Sequence, residues 1–226
     1  MNEPARISRD ASPSLMGRTL LALHASGAHR LAPKSLAGIG VIFMLHRVRE
    51  DDGAAFAPNR ILEITPSFLE ETIGTVRELG YTCMSLDEAV TRLEKGEHGE
   101  RFAVFTLDDG YKDNLTDALP VFERHDVPFT VYLTTGLPDG HAEIWWVALE
   151  RAIAAANAMR IALPGNEISM FTRDVNEKNA AWNRIYWALR KLPEHEMRTE
   201  VRKQAMMHGE RVGGEGAHII PAHREF

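Results

Sequence analysis

No ten residues limit this chain more than Phe102-Ala-Val-Phe-Thr-Leu-Asp-Asp-Gly-Tyr111. An apolar run ends abruptly in two adjacent carboxylates and a glycine. The run reads as a buried strand, and the turn after it throws Asp108 and Asp109 into a cleft. Neighbouring acids repel each other and cost free energy to desolvate, so stability alone does not account for them. A bound cation or a proton-transfer role does.

The segments around this strand repeat one theme. Gly38-Ile-Gly-Val-Ile-Phe-Met-Leu45 reads as a first strand. Thr65-Pro66 opens a helix, with Thr65 as N-cap and Pro66 at the first helical position. Phe68, Leu69, Thr72, Ile73, Val76 and Leu79 share one face of it, and Gly80 stops it. Tyr81 to Met84 is a short strand. Ser85-Leu-Asp-Glu88 is a capping box, opening a helix that ends at Gly96. After the acidic strand a helix restarts at Pro120 and ends near His125. Val127 to Leu133 is the next strand. Strands alternating with helices predict a parallel sheet with right-handed crossovers. In such sheets chemistry gathers at the carboxyl ends of the strands. His46, Asp108 and Asp109 all follow directly after apolar runs, which places them at that end.

Beyond Gly140 the pattern is helical. One helix runs from Trp145-Trp146 to about Met159, Pro164-Gly165 breaks the chain, and further helices cover Asn179 to Leu192 and Glu194 to His208. No strand is expected after Leu163. The domain reading is therefore an N-terminal arm over 1–37, a β/α portion over 38–140, a helical insert over 141–208 and an irregular tail over 209–226.

A net charge of −6 and a pI near 5.9 oppose a nucleic-acid footprint, which is basic. Cys83 is the single cysteine, so no internal disulfide forms and no oxidising compartment is needed. No apolar stretch approaches a membrane span, and the short run Thr19 to His24 lacks the length and cleavage site of a secretion signal. The cytoplasm is the expected location.

Carboxylates suit hard divalent cations, and zinc when histidines join them; a second carboxylate can act as general base toward a bound water. Thr106-Leu-Asp-Asp-Gly110 resembles the T-F-D-D-G signature of the polysaccharide deacetylases, the NodB-homology group, with Leu107 in place of Phe. The resemblance extends to Met44-Leu-His-Arg-Val48, Ile64-Thr-Pro-Ser-Phe68, Tyr111-Lys-Asp-Asn114, Ala118-Leu-Pro-Val-Phe122 and Val127 to Gly136. It implies a distorted β/α barrel and metal-dependent removal of N-acetyl groups from an amino-sugar glycan. Asp108 would be the general base and Asp109 a ligand of a divalent metal, zinc or a similar transition ion. His46, Gly110 and Tyr111 would line the pocket. Independently of the resemblance, Trp145-Trp146 has two readings: an aromatic face for a sugar ring or, the favoured one, a helical insert packed on the barrel.

The chain departs from that pattern in its second metal motif, and the later motifs that supply a catalytic-acid histidine and a substrate-binding arginine cannot be placed in it. The family's second motif, H-[ST]-x-x-H, has histidines four apart. Here His218 and His223 stand five apart in Gly216-Ala-His-Ile-Ile-Pro-Ala-His223, with Ile219 after the first. They are the weaker metal-ligand candidates. A β/α barrel takes about 250 residues, and only four good strands are counted here. The expected fold is thus an α/β, incomplete barrel with a C-terminal helical segment, shortened or completed by a partner chain. Two other functions fit the acid pair: a carbohydrate-binding protein without catalysis, and a Mg²⁺-dependent phosphoryl-transfer domain. The latter needs a further Asp or Lys at another strand end, which Thr134-Thr135 does not offer.

Overall fold

A computed structural model describes residues 15–31, 38–97, 99–138 and 143–209. They fall into two units, divided after Ile39. The first holds helix α1 (Leu15–Ala25) and a 3₁₀ turn (Ala28–Leu31).

The second unit opens with strand β1 (Gly40–Leu45), which lies parallel to β5 (Phe102–Asp108) along its whole length, from Gly40 opposite Phe102 to Leu45 opposite Leu107. On the other edge of β5, strand β4 (Thr82–Cys83) pairs with its start and β6 (Phe129–Tyr132) with its end. All pairings are parallel, as the alternating pattern predicts. Helix α2 (Pro66–Glu78) starts where Thr65 Oγ1 accepts from the Phe68 N–H, and α3 (Leu86–Glu94) where Ser85 Oγ accepts from the Glu88 N–H. Gly80 ends α2 at a φ of +77°. Between β1 and α2, the two-residue strands β2 (Arg47–Val48) and β3 (Glu63–Ile64) pair in parallel.

One face of the sheet is packed. Leu69 and Ile73 of α2 meet Phe105 and Leu107 of β5, together with Val121 and Phe122 of helix α4 (Leu119–Arg124). Phe43, Phe105, Phe122 and Phe129 form a continuous ring contact, with neighbouring centroids 4.5–5.5 Å apart. Cys83 is a free thiol half-buried against this core. The opposite face is open at its margins: Ile42 and Met44 of β1 and Tyr132 of β6 are exposed, although Val104 and Thr106 of the central strand are buried. Among the described residues the sheet does not close. The expected incomplete β/α barrel is therefore what the chain forms, with the exposed apolar residues that an unclosed sheet entails.

The region after residue 143 corrects the sequence reading. It is a mixed lobe rather than a helical insert. Helix α5 (Trp145–Ala155) stops short of Met159. The chain then forms an antiparallel hairpin, β7 (Ala158–Leu163) and β8 (Asn166–Phe171), turning through Pro164 and Gly165, the latter at a φ of +73°. Met159 and Ile161 point inward and Ala158, Arg160 and Ala162 outward, a period of two that the run of alanines conceals. Helices α6 (Val175–Leu189) and α7 (Glu194–Met207) complete the lobe. Its core joins Trp145, Leu149 and Ile153 of α5 to Ile161 and Ile168 of the hairpin and to Trp182, Ile185 and Val201. No helix among the described residues is long and apolar enough to cross a membrane.

Candidate active site

The site begins where β5 stops. Asp108 is the last paired residue of the strand, opposite Tyr132. Asp109 then turns left-handed, at a φ of +69°, and Gly110 follows at +72°. Among the described residues only Asp126 shares such a φ outside glycine. Left-handed backbone is costly for residues with a Cβ and concentrates where function requires a side chain at a fixed place. Gly110 is buried, and a Cβ there would collide with Leu133 Cδ1. That position accepts only glycine without rearrangement.

The pairing of Leu45 with Leu107 sets the next residue, His46, beside Asp108 at the same end of the sheet. Asp109 registers both neighbours. Burial pushes its carboxyl above the ordinary value of 3.8; His46 pulls it down, and the charge of Asp108 pushes it up. Sequence reasoning named these three residues, and the fold brings them together. No hydrogen bond or ion pair among the described residues holds either carboxylate.

The loops are fastened by other groups. The Asp113 side chain sits at a helix start but caps nothing. Its Oδ2 instead accepts from Arg47 Nε at 2.8 Å and pairs with Arg47 Nη2 at 2.7 Å, while its Oδ1 accepts from the Val48 N–H at 3.2 Å. Arg47 Nη1 reaches Glu63 at 3.2 Å. Asn114 Nδ2 donates to the carbonyl of His46 at 2.8 Å. These bonds tie the segment after β1 to the segment after β5, and so fix His46 against the acid turn. Burial raises the Asp113 carboxyl, and the Arg47 guanidinium opposes that rise. Asn114 Oδ1 is buried without a donor among the described residues. Residues 114–118 form a π-helical turn, a distortion common at functional sites. Arg47, Asp113 and Asn114 were missed as site residues. Their signal was their position, one to five residues after His46 and Asp109.

Two of the candidates, Tyr111 and Trp145, are buried. Tyr111 is fully buried, its ring under the Arg47 guanidinium at 4.8 Å and its hydroxyl accepting from Trp146 Nε1 at 3.1 Å. Burial raises its phenol above the usual range. It edges a cavity of about 210 Å³ that also involves Arg47, Asn59 and Glu150, and that the acid pair does not line. Trp145 is buried and stacked on Tyr186 at 5.1 Å, so its ring is not open to a sugar. The aromatic pair at 145–146 serves the core because its spacing joins the inward stripe of α5.

His218 and His223 lie outside the described residues. Among the described residues no three His, Cys, Asp or Glu side chains converge as a metal site. Asp109 and His46 fall short of the three protein ligands that a catalytic zinc takes. The described residues therefore do not by themselves make up the metal set that the resemblance implies.

No protein of curated function matches the chain in sequence. Among solved structures, a Streptococcus pyogenes deacetylase, PplD, determined with acetate, is 22% identical over 43% of this chain and 43% of its own, with a TM-score of 0.37. A de-N-acetylase from Aggregatibacter actinomycetemcomitans is 13% identical over 76% of this chain and 85% of its own, at 0.39. The BpsB deacetylase domain from Bordetella bronchiseptica is 18% identical over 71% and 75%, at 0.33. The chain thus spans less than half of the first of these. The sequence profile of the polysaccharide deacetylases matches residues 95–217, a stretch that includes the acid turn and runs through the C-terminal lobe. That stretch is more than half of the 226 residues, and the chain belongs to the polysaccharide deacetylase family.

Proposed function

We propose that this chain acts on N-acetylated amino-sugar residues of a glycan and hydrolyses the acetamide. The observation that carries this reading is the unengaged acid pair. Asp108 and Asp109 stand at the carboxyl end of the central strand, one of them in left-handed backbone, while Asp113 and Asn114 do the structural fastening. Acids kept at such a cost, with no partner for either carboxylate among the described residues, are suited to chemistry.

In this reading Asp108 accepts a proton from water as its oxygen adds to the acetyl carbonyl carbon. The carbon–nitrogen bond then breaks, the amine takes up the proton, and acetate leaves. His46 and Asp109 border the same spot and set its charge. The resemblance gives Asp109 the role of ligand to a divalent cation, which would polarise the carbonyl. The described residues supply too few ligands to hold that ion by themselves. Family membership sets aside the phosphoryl-transfer reading. The shortage of ligands favours one rival: a glycan-binding protein of the same descent, without catalysis.

The test is acetate release from N-acetylglucosamine oligomers by the purified chain, with zinc or cobalt supplied. Asp108→Asn is expected to lower the rate by about 10²–10⁴-fold. An unchanged rate in that variant overturns the assignment. Glycan binding that ignores chelator, with no acetate released by the wild type, establishes the rival.

A further inference from the structure

The tip of the β7–β8 hairpin and the outer side of α6 enclose a groove of about 730 Å³, floored by Leu192 and Pro193. That volume lies within the roughly 300–1,000 Å³ of small-molecule sites. One wall is a stripe of Asn183, Arg184 and Trp187 along one side of α6, and Lys191 follows just beyond the helix end at Leu189. Asn166 faces them from the hairpin.

We propose that this groove binds an acidic saccharide, one ring stacked on Trp187 and its carboxylate or sulfate held by Arg184 and Lys191. Three observations coincide there. Trp187 is 61% exposed, whereas Trp145 and Trp182 of the same lobe are buried. An isolated exposed aromatic needs no explanation. This one stands at a right angle to Tyr186, 5.2 Å away, with its outer surface open to solvent. Next, among the described residues neither the Arg184 guanidinium nor the Lys191 ammonium has a hydrogen bond or an ion pair, although most arginines of this lobe do. The Asn183 amide is equally unengaged, and the Nδ2 of Asn166 remains available while its Oδ1 accepts from the Glu167 N–H at 2.8 Å. Finally, the balance of charge is positive. Glu196 is the one acid on the rim, and its ionic neighbour is His195, at 3.9 Å.

Together these groups form a recognition set. A flat indole takes the apolar C–H face of a pyranose. Amide groups exchange hydrogen bonds with hydroxyls, and two cations, one of them a planar fork, select an anion. The choice of a saccharide over other anionic rings rests on the deacetylase reading. The groove shares no residue with the acid turn, so it would hold a glycan away from the reacting acetamide.

The experiment titrates the whole chain with a tetrasaccharide of alternating glucuronate and N-acetylglucosamine, and separately with neutral chitotetraose, following tryptophan emission and heat. The acidic sugar is expected to bind at least 10-fold more tightly at low salt. Trp187→Ala should weaken it at least 10-fold, while Trp187→Phe, which keeps a ring, retains most of the affinity. Arg184→Gln with Lys191→Gln should bring the acidic sugar down to the neutral one. Binding that survives Trp187→Ala, equal affinity for the two sugars, or preference for a nucleoside triphosphate added as competitor overturns the proposal. Groove binding without acetate release by the wild type sinks the deacetylase reading alone. Circular dichroism of each variant confirms folding, which these exposed positions should not disturb.

Discussion

Gly110→Ala tests the geometry on which the acid turn depends. The residue is buried, its φ is +72°, and a Cβ there meets the tip of Leu133, with Leu133 Cγ and Cα at 3.6 and 3.9 Å. Two costs follow. Left-handed backbone charges alanine about 1–2 kcal/mol. Displacing Leu133 adds about 0.5–1.5 kcal/mol, the range for an off-rotamer side chain, because Leu133 is 42% exposed and can swing outward. The expected loss is about 1.5–3.5 kcal/mol, read as a lower urea midpoint at unchanged slope. A double-mutant cycle separates the parts. Leu133→Ala removes the obstacle, so the combined variant should recover the steric share, about 0.5–1.5 kcal/mol, and keep the backbone share. Acetate release should fall in Gly110→Ala, since the turn that aims both carboxylates must shift. A loss below about 0.5 kcal/mol, or a cycle without coupling to Leu133, refutes the reasoning.

Three other outcomes are expected. Burial raises the Asp109 carboxyl in the fold, so its contribution to stability is whole below the ordinary value of 3.8 and is lost as pH rises through the folded value. Asp109→Asn should therefore have a higher urea midpoint than the wild type at pH 7, with the gap closing toward pH 4; a gap that widens on acidification contradicts this. Arg47→Ala strips Asp113 of its partner, at side-chain exposures of 13% and 9%, and should cost about 3–5 kcal/mol, with Arg47→Lys in between because an ammonium cannot fork. Ile161→Ala should cost about 2–4 kcal/mol by thermal unfolding, since the side chain is fully buried on β7; a negligible change would mean that the hairpin is not part of the core.

Much of this fold was legible locally. Thr65-Pro66, Ser85 and Gly80 each act within one turn of the chain, through a cap bond or a permitted φ, and they act as their residue types dictate. The hairpin of 158–171 was not legible, because alanine and methionine suit a helix as well as a strand and only neighbours choose between them. Trp145 likewise reads as a sugar platform or as core until Tyr186 is seen stacked upon it.

The acid pair, its glycine and the strand before it were set by ten consecutive residues, since a turn needs no distant partner. The brace behind it was decided by the tertiary structure alone. Arg47 and Asp113 lie 66 positions apart, and neither residue type announces which opposite charge it will meet. Chain neighbours fix backbone angles, whereas a buried ion pair exists only after β1 and β5 lie side by side and exclude water from between them.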